Sequence, residues 1–423
     1  MLSLHAAEHP RRDRDAAPRI GLAIAGGGPI GAMYELGALR ALDEACDGLD
    51  LARLDCYVGV SSGAFFAAGL ANRMDTAELC RIFISGDSQD VTFRPETFLR
   101  PALLEYMRRA ASIPRLTAKL TQDLWFGRGD SRWSDLVTRI GGLVPTGLFD
   151  NAEVERFLRD VFSRRGRSND FRKLERPLYV IGVDLDSGEA VRFGDEGWDD
   201  VPISQAVQAS SALPGLFPPV EIGGRFFVDG ALKKTLHASV LLEDGLDLLI
   251  CLNPLVPYDA AHARRERVLE SGEPRIPRLI DGGLPVVLSQ TFRTLIHSRL
   301  ELGMKGYERS HPGTDILLFE PDQRDPEMFL ANTFGYSQRR WLAEHAYRQT
   351  REQLRAQRPQ IAAKLARHGL ALNDKALDDH HRSLLRRPAR RGPPVLPSAL
   401  AVKKLEQVLD DLEVALAARA RAG

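Results

Sequence analysis

The sequence Cys56-Tyr57-Val58-Gly59-Val60-Ser61-Ser62-Gly63-Ala64 organises the first half of this 423-residue chain. Its apolar start predicts a short buried strand, and the small residues from Gly63 to Ala71 predict a helix. Gly-x-Ser-x-Gly between a strand and a helix is typical of a strained tight turn that holds a serine clear of a sheet. Gly59 and Gly63 keep neighbouring side chains away from that serine. The stretch therefore predicts a strand-turn-helix unit with Ser61 as a candidate nucleophile.

A similar unit comes before it. Arg19 to Ala25 reads as a buried strand, and the apolar spacing from Met33 to Leu42 predicts a helix. Between them stands the Gly-rich turn Gly26, Gly27, Gly28, Pro29, Ile30, Gly31. Two successive units of this kind favour a parallel sheet that is covered by helices on both faces.

Further strands are predicted along the chain. They are Leu178–Leu185, Phe226–Val228, Leu248–Leu252 and Asp315–Phe319. A helix is predicted from Gln338 to Gln357. The sheet thus has at least five candidate strands.

Composition excludes several classes of protein. Fifty-seven basic residues balance 57 acidic ones, so no global field favours nucleic acid as a partner. The cysteines lie far apart without a Cys-x-x-Cys pair, which argues against a zinc site or a disulfide framework. Residues 1–19 lack the apolar core of a secretory signal, and no apolar run is long enough to span a membrane. We expect a cytoplasmic location.

The Gly-rich turn has two interpretations. It satisfies Gly-x-Gly-x-x-Gly, which after a strand can bind a dinucleotide. A dinucleotide site also needs an acidic residue at the end of the next strand, yet the chain has Ser61 there. Free backbone N–H groups can hold either a pyrophosphate or the oxyanion of a tetrahedral intermediate, and Ser61 favours the oxyanion.

A serine nucleophile needs a base, and the residues leave the choice open. In a Ser-His-Asp triad the histidine follows the serine, so His237, His297 or His311 could serve. The alternative is a carboxylate acting alone. Asp229 ends a predicted strand and is followed by Gly230 and Ala231, and glycine permits close approach of a second loop.

These motifs together carry a family resemblance. The chain from about Arg19 to Pro254 resembles the patatin-like phospholipases, which join a Gly-rich oxyanion loop, a Gly-x-Ser-x-Gly elbow and an Asp-Gly-Ala/Gly motif in this order. Here the third motif is Asp229-Gly230-Ala231. The segment 209–219, Ala-Ser-Ser-Ala-Leu-Pro-Gly-Leu-Phe-Pro-Pro, also looks like a family segment that shapes the site.

The resemblance implies a catalytic dyad of Ser61 and Asp229 without histidine, and a lipid acyl-ester substrate. Backbone N–H groups around Gly27 and Gly28 would receive the oxyanion. The implied fold is a three-layer α/β/α sandwich with a central, mostly parallel sheet, and the implied chemistry requires no metal or organic cofactor. Two alternatives remain: a Ser-His-Asp esterase or thioesterase that uses His237 on soluble esters, and a noncatalytic or dinucleotide-binding protein.

Two departures from the family pattern concern the site. Many members carry Lys or Arg where this chain has Ile30. After Asp229-Gly230-Ala231 the family often continues into an Asn-Pro pair, whereas this chain continues to His237. His237 is therefore a candidate accessory residue.

Composition and apolar spacing also suggest how the chain is divided. We expect a flexible arm at 1–18, a catalytic domain at 19–256 and an extension of helices and a strand at 257–380 that packs on the core. Residues 86–146 are aromatic-bearing and amphipathic and could form a lid, an insertion or a lipid-facing surface. A basic, Pro-rich linker and an amphipathic helix are expected at 381–423, and this linker is a candidate for peripheral membrane contact.

Overall fold

The fold was analysed in a computed structural model, which describes residues 1–5, 17–86, 91, 93, 146–263, 278–330 and 338–384. The strands, in chain order, are β1 Leu2–His5, β2 Ile20–Ile24, β3 Cys46–Asp47, β4 Cys56–Val60, β5 Leu178–Asp184, β6 Ala190–Phe193, β7 Val220–Ile222, β8 Arg225–Asp229, β9 Leu248–Leu252, β10 Asp315–Phe319 and β11 Ala371–Leu372.

The helices, in chain order, are α1 Gly28–Ala45, α2 Ser62–Ala71, α3 Thr76–Cys80, α4 Ala152–Phe162, α5 Ile203–Ser210, α6 Ser239–Leu242, α7 Gly283–Ser310, α8 Pro326–Leu330, α9 Arg339–Ala356, α10 Arg358–Arg367 and α11 Asp374–Asp378. Within the described ranges, no helix is both long enough and apolar enough to cross a membrane.

The main sheet has the strand order β1-β10-β9-β2-β4-β5-β8-β7, with β6 also paired to β5. Its centre is parallel, since β10, β9, β2, β4 and β5 run in the same direction. Strands β1, β6, β7 and β8 pair in antiparallel fashion towards the two edges. Every residue of β2, β4, β9 and β10 is buried, as expected for strands covered on both faces.

Helices cover the sheet on both sides. Successive residues of a strand point to opposite faces. On β2, Ile24 packs in the same apolar cluster as Leu36 of α1, whereas Ala23 packs in a second cluster with Leu300 of α7. The predicted three-layer α/β/α sandwich with a central, mostly parallel sheet and a helical C-terminal region is confirmed.

The N-terminal residues differ from the predicted flexible arm. Leu2–His5 forms strand β1, which pairs with β10 across the register Leu2↔Phe319 to His5↔Ile316. Leu2 is buried against the main core. This short segment is ordered because its backbone hydrogen bonds have a partner strand more than 300 residues along the chain. Most of the remaining arm, 6–16, lies outside the described residues.

The segment after 257 contributes to the same compact unit, whose described residues end at Leu384. Strand β10 lies between β1 and β9 in the main sheet. Helix α9 packs closely on α1, since a Cβ added to Gly37 would lie 2.4 Å from the carbonyl oxygen of Ala343. Most of the predicted lid or insertion at 86–146 and most of the linker and helix at 381–423 lie outside the described residues.

Candidate active site

Ser61 lies in the turn between β4 and α2. Its φ of 50° and ψ of −122° are unusual for a residue with a side chain, as expected for a strained elbow. The flanking glycines have no room for a side chain. A Cβ added to Gly63 would lie 2.4 Å from the carbonyl oxygen of Ile24, and one added to Gly59 would lie 2.5 Å from the Cα of Ala64. Close packing of α2 on the sheet therefore requires glycine at both positions.

The Gly-rich loop between β2 and α1 lies against this turn. A Cβ added to Gly26 would lie 2.8 Å from the Cβ of Ser61 and 3.3 Å from the Cβ of Ala231. On its other side the loop packs on Pro254, which leaves no space for a side chain at Gly27. The three motifs found in the sequence thus meet at one place.

Asp229 ends β8 and is 3% exposed. Its carboxylate accepts a 2.9 Å hydrogen bond from the backbone N–H of Ala231. Burial raises the pKa of Asp229 from its usual 3.8 to about 6, against the opposing effect of the neighbouring Ser61 hydroxyl and of the Ala231 N–H. The carboxyl beside Ser61 therefore has a pKa closer to neutral pH than that of an ordinary aspartate.

The segment 209–219 supports both residues. The backbone N–H of Ser61 donates a 2.8 Å hydrogen bond to Ser210 Oγ, and the Ser210 hydroxyl donates one of 2.6 Å to the carbonyl of Ile181. The carbonyl of Ala212 accepts a 3.0 Å hydrogen bond from the Asp229 N–H. This segment fixes the backbone on both sides of the Ser61–Asp229 contact.

A buried network behind the elbow was not predicted. Ser62 Oγ accepts a 2.9 Å hydrogen bond from the N–H of Gly27 and donates one of 2.9 Å to Glu35 Oε1. Glu35 has no exposed surface, and burial raises its pKa well above the usual range, which favours the neutral acid. The sequence signal was weak, namely one carboxyl among the apolar residues Met33, Tyr34 and Leu36 of α1.

The network affects the predicted oxyanion donors. Because the Gly27 N–H already donates to Ser62, it is not free for a second acceptor in this conformation. Helix α1 begins at Gly28, which has a φ of +61°. The first N–H groups of a helix have no partner within the helix. The Gly28 N–H is therefore the better candidate of the two.

The candidate histidines contact other groups. His237 is buried, and its Nε2 lies 3.3 Å from the carbonyl oxygen of Gly230. Burial lowers the pKa of His237 to about 4, so its ring is neutral at pH 7. His297 lies beside Glu320 and Gln323, and His311 beside Ser310. The titratable side chain that interacts with the Ser61 hydroxyl is the carboxylate of Asp229, whose pKa that hydroxyl lowers against the effect of burial.

Comparison with known proteins gives a match over the part of the chain that holds these motifs. Residues 22–242, which include the Gly-rich loop, the elbow and Asp229, match the family model described as patatin-like phospholipase. This is just over half of the chain.

Two curated relatives are uncharacterized NTE family proteins from mycobacteria. The protein of Mycobacterium tuberculosis strain CDC 1551 is 27% identical over 246 residues, which is 57% of this chain and 31% of that protein. The protein of Mycobacterium bovis is 29% identical over 245 residues, again 57% of this chain and 31% of that protein. The chain thus spans about a third of the length of these relatives.

Among solved structures, VipD from Legionella pneumophila is 19% identical, with a TM-score of 0.30 over 58% of this chain and 52% of that chain.

Proposed function

The chain belongs to the patatin-like phospholipase family, and from this premise we propose that it is a serine acyl hydrolase that cleaves fatty acyl esters of phospholipids or related lipids. In this proposal Ser61 is the nucleophile and Asp229 is the general base. The observation that carries it is a strained, buried serine beside a buried carboxylate whose pKa burial raises to about 6.

The first half of the reaction acylates Ser61. Its Oγ attacks the ester carbonyl carbon while its proton passes to the Asp229 carboxylate. The carbonyl π bond becomes a lone pair on the oxyanion. When the tetrahedral intermediate collapses, the bond to the leaving alcohol breaks, and that oxygen takes the proton from Asp229. The product is an acyl-enzyme with Asp229 ionised again.

The second half returns the enzyme to its starting state. Water attacks the acyl carbonyl and gives a proton to Asp229. The new tetrahedral intermediate expels Ser61 Oγ, which takes that proton back, and the fatty acid leaves. One aspartate therefore serves as base and then as acid in both halves, as microscopic reversibility requires.

Positioning contributes much of the rate in this scheme, because a carboxylate is a weaker base than imidazole at neutral pH. Each well-placed oxyanion donor is worth about 3 kcal/mol. We assign this role to the Gly28 N–H and to the N-terminal N–H groups of α2, whose dipole also favours negative charge at Ser61. Glu35, through Ser62, would hold the Gly-rich loop in place for them.

The proposal is tested with a p-nitrophenyl acyl ester and a fluorophosphonate probe. Ser61→Ala should abolish labelling and lower turnover by about 10⁴-fold or more, and Asp229→Asn should lower turnover by about 10³-fold or more. Ser163→Ala and Asp186→Asn remove the same groups at exposed positions and serve as matched controls. Full activity in either the Ser61 or the Asp229 variant would overturn the dyad.

A further inference from the structure

Helix α7 carries large apolar side chains on its outer surface. Leu284, Leu288, Phe292, Leu295 and Leu302 are each between 44% and 70% exposed. We refer to these five residues as the α7 stripe. Among the described residues of this helix, only His297, Leu300 and Met304 are fully buried. A 28-residue helix that leaves most of its leucines in solvent is unusual for a soluble domain.

The stripe forms one continuous face. At 3.6 residues per turn its five members fall within an arc of about 80° on the helix surface. The three buried residues centre on the opposite side, about 150° away. The stripe is thus a separate apolar surface and does not adjoin the face of α7 that packs on the core. Contiguous exposed apolar surfaces of this kind mark sites of protein or membrane contact.

Three of the four cations of the helix lie on or beside this face, whereas Arg293 lies on the core side, where it donates a 3.3 Å hydrogen bond to the carbonyl of Val256. Arg299 lies within the arc of the stripe and Lys305 and Arg309 lie along its border, all three exposed. The acidic residues lie towards the core side, where Glu301 is 3.5 Å from His297 and Glu308 pairs with His5. Leucine and phenylalanine bordered by cations are the composition that binds anionic lipid surfaces, whereas a protein contact does not require such a border.

The stripe also lies on the element that packs beside the candidate site. Arg299 donates a 3.3 Å hydrogen bond to the carbonyl of Leu232, three residues after Asp229. Leu300 and Met304 share an apolar cluster with Ala231. Placing the outer face of α7 on a surface would therefore leave the loop that carries Asp229 on the other side of the helix, about one helix diameter of 10 Å from that surface.

We propose that the α7 stripe and its bordering cations dock the protein on an anionic lipid bilayer. The inference rests on the proposed lipid hydrolase function, because it explains how a soluble catalytic domain reaches an ester that stays in a membrane. The apolar side chains enter the interface between headgroups and acyl chains, and Arg299, Lys305 and Arg309 contact lipid phosphates.

Binding is measured by co-sedimentation with vesicles of phosphatidylcholine, with and without phosphatidylserine, in a Ser61→Ala background so that no lipid is consumed. The variant L284Q/L288Q/F292Q should bind both vesicles at least about tenfold more weakly. Its matched control, S289Q/T294Q, adds glutamines at exposed positions of the same helix without removing an apolar side chain, and should bind like the parent.

The electrostatic part has its own comparison. K305Q/R309Q should weaken binding about tenfold on vesicles with phosphatidylserine and little on phosphatidylcholine alone, since each cation near an anionic surface contributes a several-fold change in affinity. R53Q/K173Q removes the same charge from exposed positions outside α7 and should have no such effect. Equal losses for both charge variants would show that net charge, not this face, attracts the vesicles.

The proposal is overturned if L284Q/L288Q/F292Q binds vesicles as tightly as S289Q/T294Q. A second result would also overturn it: the parent is a dimer that does not bind vesicles, and L284Q/L288Q/F292Q turns it into a monomer. The stripe would then be covered by a second copy of the chain. Failure of the proposed function is distinguishable: a protein that binds vesicles through the stripe but never hydrolyses an ester refutes the dyad and leaves the docking surface standing.

Discussion

Ser62 and Glu35 form a buried hydrogen bond of 2.9 Å that connects the elbow to helix α1. Because Ser62 also accepts the N–H of Gly27, the pair holds the Gly-rich loop against the turn that carries Ser61. Burial raises the pKa of Glu35 and favours its protonated form. A neutral Glu35 therefore has a structural role, because it stabilises the Gly-rich loop through Ser62 and adds no second charge to the site.

The structural role of the Ser62–Glu35 hydrogen bond predicts different outcomes for two substitutions. Glu35→Gln keeps a neutral acceptor for the Ser62 hydroxyl, so kcat should stay within about threefold of the parent. Ser62→Ala leaves the Gly27 N–H and Glu35 without their partner, and the loosened loop should lower kcat by about 10- to 100-fold with little change in KM. Steady-state kinetics on a soluble ester checks both. A Glu35→Gln variant as impaired as Ser62→Ala would contradict a structural role for a neutral Glu35.

Local patterns predicted most of the fold. The strands β2, β4, β5 and β9 are continuous apolar runs bounded by turns, and their lengths match the prediction within one or two residues. The Gly-rich loop and the elbow each follow such a strand, and because β2 and β4 run parallel their carboxyl ends meet at one edge of the sheet. Asp229 reaches the same place differently, since it ends β8, which pairs antiparallel with β5 and sets Asp229 opposite Gly182.

Contacts between residues far apart in the sequence could not be predicted from local sequence patterns. Leu2–His5 is a polar-apolar stretch of four residues whose order depends on β10. Glu35 lies in the middle of a helix, and nothing in its neighbourhood indicates that its partner is Ser62. The outer stripe of α7 obeys the same 3.6-residue period as a core-facing stripe, so periodicity alone cannot say which face is buried.

The pKa of Asp229 predicts how the proposed activity depends on pH. A general base must be ionised, and burial places the pKa of Asp229 at about 6. The value of kcat/KM should therefore be constant above pH 7 and fall about tenfold per pH unit below pH 6. Rates for a soluble ester measured from pH 4.5 to 8.5 test this. A plateau that extends unchanged below pH 5 would exclude Asp229 as the ionising base.

The raised pKa of Asp229 also predicts that its ionised form lowers the free energy of unfolding. Above pH 6 the folded protein holds a buried carboxylate that the unfolded chain would hydrate, whereas below pH 4 the group is protonated in both states. A rise from 3.8 to about 6 corresponds to at most about 3 kcal/mol, lost as pH increases through that window. Asp229→Asn should therefore raise the free energy of unfolding at pH 7.5 but not at pH 4. Urea denaturation at both pH values measures the difference, and an equal gain at both would contradict a charge effect.

His237 separates the carboxylate dyad from a histidine triad. The carbonyl oxygen of Gly230 can only accept, so the contact requires the hydrogen on Nε2 of the imidazole. Nε2 then has no lone pair for the Ser61 proton, which leaves Nδ1 as the only basic nitrogen, and burial, which lowers the pKa of His237 to about 4, makes the ring a poor base. Its backbone φ of 47° is one that asparagine and glycine tolerate.

His237→Asn and His237→Gly should therefore fold and keep kcat/KM within about tenfold of the parent, the loss coming from a less firmly held Gly230. The acid limb near pH 6 should stay in place in both, because it belongs to Asp229. If His237 were the base, the kcat/KM of both variants would fall as far as that of Ser61→Ala, and the decrease in rate near pH 6 would disappear from the pH profile. The pH profile of the two variants thus decides between the two mechanisms even where a modest loss of rate would not.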